Sequence, residues 1–147
     1  MIRDMDLIRS ILLDLESQNA DLSDSNFGFD YETTAARIGT SHESLTHHLN
    51  LLYEAGFVEG WVKRGKRGAF VETRTQLDHD YIVLVMPRGL TWSGHEYLET
   101  IRDPEIWRKT KAGATKIGSF GADVIKELAL GLIKQQIKRY TGVDVEV

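Results

Sequence analysis

The stretch Tyr31–Val58, YETTAARIGTSHESLTHHLNLLYEAGFV, constrains the fold of this chain more than any other segment. It prescribes a short helix, a tight turn, a longer helix and a strand in immediate succession. Ala35 and Ile38 are three apart and share one helix face, and Ala35 is small enough to let another helix approach closely. Gly39 follows the last apolar residue, where a left-handed residue normally ends a helix. Thr40 and Glu43 have T-x-x-E spacing, which predicts a capping box opening the next helix at Thr40. Leu45, Leu49 and Leu52 then fall at i, i+4 and i+7, a stripe that must be buried. Ala55-Gly56 closes this helix, and Phe57-Val58 begins a β-prone run.

Both flanks can be read in the same way. Met5, Ile8, Ile11, Leu12 and Leu15 mark an amphipathic first helix, with Asp4 and Asp6 at its N-terminus, where negative charge is favoured. Gln18–Asn26 is a polar loop, and Phe27–Tyr31 is expected to be a short strand. Phe57–Arg64 is a second strand, Arg64-Gly65-Lys66-Arg67-Gly68 a basic turn and Ala69–Thr75 the returning strand. Asp78-His79-Asp80 is a polar break before Tyr81–Met86, a strand that Pro87 is expected to stop. The segment from Phe57 to Thr91 is long enough for an extended β-arm.

Either Thr91, or Ser93 with Glu96, caps the helix that follows, whose apolar face is Tyr97, Leu98 and Ile101. Asp103-Pro104 interrupts it, with Pro suited to a new first helical position. A short helix then carries Ile106, Trp107 and the cluster Arg108-Lys109-x-Lys111, and Gly113 and Gly118 bound a loop. Ser119 opens a long final helix to about Tyr140. Its apolar positions are Val124, Ile125, Leu128, Ala129, Leu132, Ile133 and Ile137, a broader stripe than a helix lying on one surface needs.

The segment from Ala35 to Val58 resembles the core of bacterial winged-helix regulators of the MarR and ArsR kind. Their pattern is a small residue and an aliphatic three apart, Gly, a hydroxyl cap, then a helix ending L-x-E-A-G-aliphatic. Leu90-Thr91-Trp92-Ser93-Gly94-His95-Glu96-Tyr97-Leu98 resembles the L-T-x-x-G-x-x-x-L that follows the wing in that superfamily. The set RDMDLIRSILL, EAGFVEG, LTWSGHEYLETIRD and IWRKTK is similar to a narrower family of small bacterial and phage proteins, known as a domain of unknown function. The wider resemblance implies an α+β, mainly α fold: a winged helix-turn-helix with a β-wing over 1–102 and a helical extension over 103–147. It also implies that the second motif helix enters the major groove of DNA. The narrower resemblance brings a fold and no residue roles.

Charge decides where a polyanion could dock. The chain carries a net −4, but residues 1–56 contribute −7, residues 57–75 +3, residues 76–105 −4 and residues 106–147 +4. Positive charge is therefore concentrated in the wing and the C-terminal third, and local field rather than net charge governs docking. The 41% hydrophobic and 27% charged content is that of a globular protein. With no cysteine, disulfides and thiolate metal sites are excluded. Short apolar runs and the absence of a leader pattern lead to the expectation of a cytoplasmic protein without a membrane partner.

The candidate base-reading residues on helix 41–55 are Ser41, His42, Glu43, Ser44, Thr46, His47 and Asn50, with Asn suited to adenine and Glu to cytosine. No Lys or Arg lies on this helix, so the phosphate grip falls to Lys63, Arg64, Lys66 and Arg67 in the wing. His42, His47 and His48 lack chelating spacing, since adjacent residues point about 100° apart on a helix, and are expected to be ordinary surface histidines. Trp61, Trp92 and Trp107 are expected in core or dimer packing. There is no G-x-S-x-G, no phosphate-binding glycine loop and no H-E-x-x-H, and His95-Glu96 lacks a second histidine. No catalytic residue, metal or cofactor is expected. The expected partners are duplex DNA and a second copy of the chain, paired through Ile125, Leu128, Leu132, Ile133 and Ile137. The alternative from a different class is a protein-interaction module, to which the acidic first third and uncharged recognition helix also conform. A third is a ligand-responsive regulator.

Overall fold

In a computed structural model, residues 1–18, 29–65 and 81–143 are described. They form an α+β, mostly helical protein with one two-stranded antiparallel sheet. The elements are α1 (Met5–Ser17), α2 (Tyr31–Ile38), α3 (His42–Glu54), β1 (Val58–Gly65), β2 (Tyr81–Leu90), α4 (Trp92–Ile101), α5 (Pro104–Ile117) and α6 (Ala122–Thr141). They fall into two compact units, Met1–Gly94 and His95–Val147. No helix among the described residues is long and apolar enough to cross a membrane.

In the first unit α3 packs against α1, α2 and both strands. Its stripe Leu45, Leu49 and Leu52 is buried, together with Ile8, Ile11, Leu12 and Leu15 of α1, Ala35 of α2, and Val58 and Val85 of the sheet. The turn between α2 and α3 is tighter than the capping-box pattern predicts. Gly39 is left-handed at φ 85°, and the N–H groups of Gly39 and Thr40 both donate to the Ala35 carbonyl, at 2.8 and 2.9 Å. Thr40 is thus taken up in closing α2, and Ser41 rather than Thr40 caps α3. The expected strand at Phe27–Tyr31 is also replaced in its described part: Asp30 caps α2 and Tyr31 begins that helix. Its first two residues lie outside the described ones, as do most of the predicted loop at Gln18–Asn26, the strand Ala69–Thr75 and Asp78-His79-Asp80.

Two of the polar ties among the described residues hold α1 in place. Arg37 of α2 grips Asp14 with two hydrogen bonds, Nε to Oδ1 at 2.6 Å and Nη2 to Oδ2 at 3.0 Å. The other tie is His48, which is 1% exposed rather than a surface residue. Its Nε2 accepts from the Asp4 N–H at 2.8 Å, and its Nδ1–H donates to the Ser44 carbonyl at 2.7 Å. This pattern requires the neutral Nδ1–H tautomer. Asp4 in turn caps α1 by accepting from the N–H groups of Asp6 and Leu7, so one residue links the start of α1 to the middle of α3.

The two strands pair from Val58 opposite Leu90 to Gly65 opposite Tyr81, with bulges between Glu59 and Gly60 and between Lys63 and Arg64. Pro87 does not end β2. It lies opposite Gly60 at the first bulge, where the partner strand has no side chain and its backbone comes so close that a Cβ on Gly60 would meet the Met86 carbonyl at 2.1 Å. At the far end of β2, Thr91 resolves the cap of α4: its Oγ1 accepts from the Gly94 N–H at 3.1 Å and donates to the Gly56 carbonyl at 2.5 Å. Gly94 is obligatory here, because a Cβ would lie 2.0 Å from the Phe57 carbonyl oxygen.

In the second unit Asp103 caps α5 with Pro104 in its first turn, as the sequence implies. The helix then runs through Gly113 instead of breaking there. A glycine inside a helix costs about 1 kcal/mol, but Gly113 lies on the side of α5 that packs on α6, beside Leu128, and the packing of the two helices carries α5 through it. Gly118, at φ 80°, ends α5, and α6 begins after Gly121 rather than at Ser119.

Gly94→Ala is expected to destabilise the protein by about 1–3 kcal/mol through overpacking against backbone, measured by urea denaturation. Unchanged stability would mean that the α4 start is not pinned to Phe57.

Candidate nucleic-acid interface

The outward side of α3 carries the seven candidate residues. Ser41 caps the helix, its Oγ accepting from the Ser44 N–H at 3.1 Å. Ser41, His42 and Glu43 are exposed, while Ser44, Thr46, His47 and Asn50 are half-buried. Thr46 donates its hydroxyl to the His42 carbonyl at 2.8 Å, which leaves its oxygen free to accept. The His42 ring rests on Tyr31, centroids 5.1 Å apart, and Tyr31 in turn packs edge-on against Phe29 and donates its hydroxyl to the Val85 carbonyl. His47 stands edge-to-face with His48 at 5.2 Å. Partial desolvation, then the neighbouring His48 and the N-terminal ammonium, hold the His47 imidazole below its ordinary value, against a smaller opposing effect of Glu54. A neutral His47 therefore offers one donor and one acceptor at pH 7. Asn50 departs from expectation. Its Oδ1 is buried with no hydrogen-bond partner among the described residues, so its amide cannot give adenine both contacts without turning over.

Lys63 and Arg64 are exposed on β1, opposite Leu84 and Ile82, at the bulge that leaves Val83 without a partner. Neither forms an ion pair with another described residue. Lys66 and Arg67 lie outside the described residues. Two residues before Lys63, Trp61 is 78% exposed, and Trp92 at the start of α4 is 80% exposed; Trp107 alone is buried. Tryptophan hydrophobicity argues for burial, but strand phase argued the opposite. Val58, Gly60 and Val62 alternate with Glu59, Trp61 and Lys63, which places Trp61 in the polar phase.

The cations of the second unit are differently placed. Arg108 pairs with Glu105 at 2.5 Å, Lys109 approaches the same carboxylate at 3.9 Å, and Lys111 lies 5.7 Å from the Trp107 ring centroid. The Arg108 hydrogen bond and charge hold the exposed Glu105 carboxyl below its ordinary value. Of the dimer candidates, Ile125 is fully buried and offers no surface, whereas Leu128, Leu132, Ile133 and Ile137 are half-buried. Leu132 also lines a cleft of about 410 Å³ between α5 and α6, with Ile106, Lys109, Gln135, Arg139 and Tyr140.

Residues 2–120 match the family model described as "Hypothetical protein (DUF2513)". The chain is 33% identical over 144 residues to a Haemophilus influenzae protein described as "Uncharacterized protein", a match covering 93% of this chain and 99% of that one. No solved structure matches.

The tyrosine beneath His42 gives a pH signature. Burial pushes the Tyr31 phenol up to about 12, against a smaller opposing effect of its bond to Val85. A raised acid contributes stability that is fully present below its unfolded value of about 10 and is lost as pH climbs toward 12. Tyr31→Phe is expected to cost about 1 kcal/mol at neutral pH. Its deficit against the wild type should shrink in alkaline denaturation series, and a constant deficit would refute a buried phenol.

Proposed function

This chain belongs to the family described as "Hypothetical protein (DUF2513)", and from its own residues we propose that it is a winged-helix protein that binds duplex DNA, a transcriptional regulator of bacterial or phage type. In this reading α2 and α3 are the helix-turn-helix, and α3 lies in the major groove. The β1–β2 ribbon is the wing on the flanking phosphates. The observation that carries it is the pairing of two exposures: a polar face on α3, whose first turn Ser41 caps, and Lys63 and Arg64 lacking ion-pair partners among the described residues. Surface cations without local partners are available to phosphate at the least desolvation cost. The C-terminal cluster fits this role less well, since Arg108 and Lys109 share Glu105.

A second copy completes the proposal. Leu128, Leu132, Ile133 and Ile137 leave part of an apolar stripe on α6 open to solvent, and Leu130 adds to it. Pairing through that stripe would give a two-fold dimer with two α3 helices, the symmetry that recognition of paired half-sites requires. The competing reading, a protein-interaction module, has its own support in the −7 balance of residues 1–56 and the absence of Lys and Arg from α3.

The salt dependence of binding to random duplex DNA separates the two. The wild type should be retained at low salt, and Lys63→Ala and Arg64→Ala should each flatten the slope of log K against log salt by roughly 0.9. No retention, or unchanged slopes, would leave the protein-interaction reading standing. Sedimentation at roughly ten to fifty micromolar, where weak pairs form, should give twice the 16.7-kDa chain mass; a monomer there would remove the α6 dimer. Enrichment of a palindrome from random duplexes would report symmetry and half-site spacing together.

A further inference from the structure

Trp61 is the residue the fold explains least. On a ribbon whose inward residues Val58 of β1 and Val85 of β2 are buried, it is turned outward and 78% exposed. A tryptophan in this state keeps most of a large apolar ring in water, and a monomer gains nothing by it. Its surroundings define what would cover it. Met86 lies directly across the ribbon and Lys63 two residues along the same strand, on the same face, with Leu84 across from Lys63. Met86 and Leu84 are half-buried, so the outer face is an apolar step bordered by the exposed cations Lys63 and Arg64. A purely apolar partner would leave those cations desolvated and unpaired. A plain acidic peptide would leave the ring in water. A partner that carries regularly spaced anions together with flat π-faces satisfies both, and nucleic acid is that partner.

We propose that Trp61 is a base-stacking residue: the ribbon lays its indole on a nucleobase made accessible at an opened or kinked step of DNA, while Lys63 and Arg64 hold the adjoining phosphates. The inference deepens the DNA-binding reading and rests on it. Aromatic side chains used in this way tolerate any base, because each base has a π-face, and an apolar wedge at a step kinks the duplex. The ribbon would therefore favour deformable or distorted sites and leave sequence reading to α3. Trp92, equally exposed, has Thr91, Ser93 and Gly94 as its chain neighbours and no cation among them, and it is given no such role.

The test compares full-length wild type, Trp61→Ala, Trp61→Phe and Lys63→Ala on a perfect duplex and on the same duplex with one unpaired nucleotide. The wild type should prefer the bulged duplex. Trp61→Ala should lose affinity by roughly ten-fold or more, lose the preference for the bulge and keep the wild-type salt slope, since no charge is removed. Trp61→Phe, which retains a ring, should keep most of the preference. Lys63→Ala should do the converse, flattening the slope while preserving the preference. The high exposure of Trp61 means that each variant should melt as the wild type does, which circular dichroism checks. Trp61→Ala within two-fold of wild type on both duplexes, or a changed salt slope in that variant, overturns base stacking while leaving DNA binding intact. Failure of the wild type to bind either duplex at low salt overturns the DNA reading itself, and the stacking proposal falls with it.

Discussion

The first unit depends on the burial of one stripe, Leu45, Leu49 and Leu52 of α3, because that helix packs against α1, α2 and both strands. Truncating any one of these leucines removes roughly 2–5 kcal/mol, a large share of a typical domain's stability. The same burial fixes the rotation of α3 about its axis. Once the leucines face inward, Ser41, His42, Glu43, Thr46 and His47 face out, and the polar face follows from the apolar one. His48 refines that rotation, since its two ring nitrogens are engaged by the Asp4 amide and the Ser44 carbonyl. A stripe of leucines tolerates a few degrees of slippage; a buried imidazole with two hydrogen bonds does not.

Backbone proximity is the second constraint. Gly60 against Met86 and Gly94 against Phe57 each permit an approach that no side chain could survive. The first accommodates Pro87 within the ribbon, and the second fastens the start of α4 to the turn that ends α3, where Thr91 also bonds Gly56. The ribbon is thus tied at its base, where Val58 meets Leu90, and its cationic residues lie several positions further out. That arrangement is what the proposed wing requires: a rigid root and an exposed, charged outer part.

Much of this was legible in the sequence. The helix starts and stops at Asp4, Gly39, Gly56 and Asp103, the leucine stripe, and the strands at Val58 and Tyr81 all follow from local rules of capping, period and turn chemistry. Misreadings arose where local rules compete. Thr40 and Ser41 both make acceptable caps, and the demand of α2 for a closing amide at Thr40 decided between them. Pro87 reads as a strand terminator unless the facing residue is known to be a glycine. Gly113 reads as a break unless Leu128 is known to lie against it. Of the candidate interface, the polar α3 face is legible from periodicity, whereas the exposure of Trp61 is hidden because the hydrophobicity of an indole and the strand phase point in opposite directions.

The sequence by itself determined the order of elements, the inward face of each helix and the uneven distribution of charge, because these depend on residues within a turn or a strand of one another. Only the tertiary structure decided which polar groups are engaged. It took His48 and Ile125 out of the surface, left Lys63, Arg64 and Trp61 in it, and turned the Asn50 oxygen inward. These outcomes depend on partners as distant in the chain as Asp4 is from His48, and no local pattern carries information across such a separation.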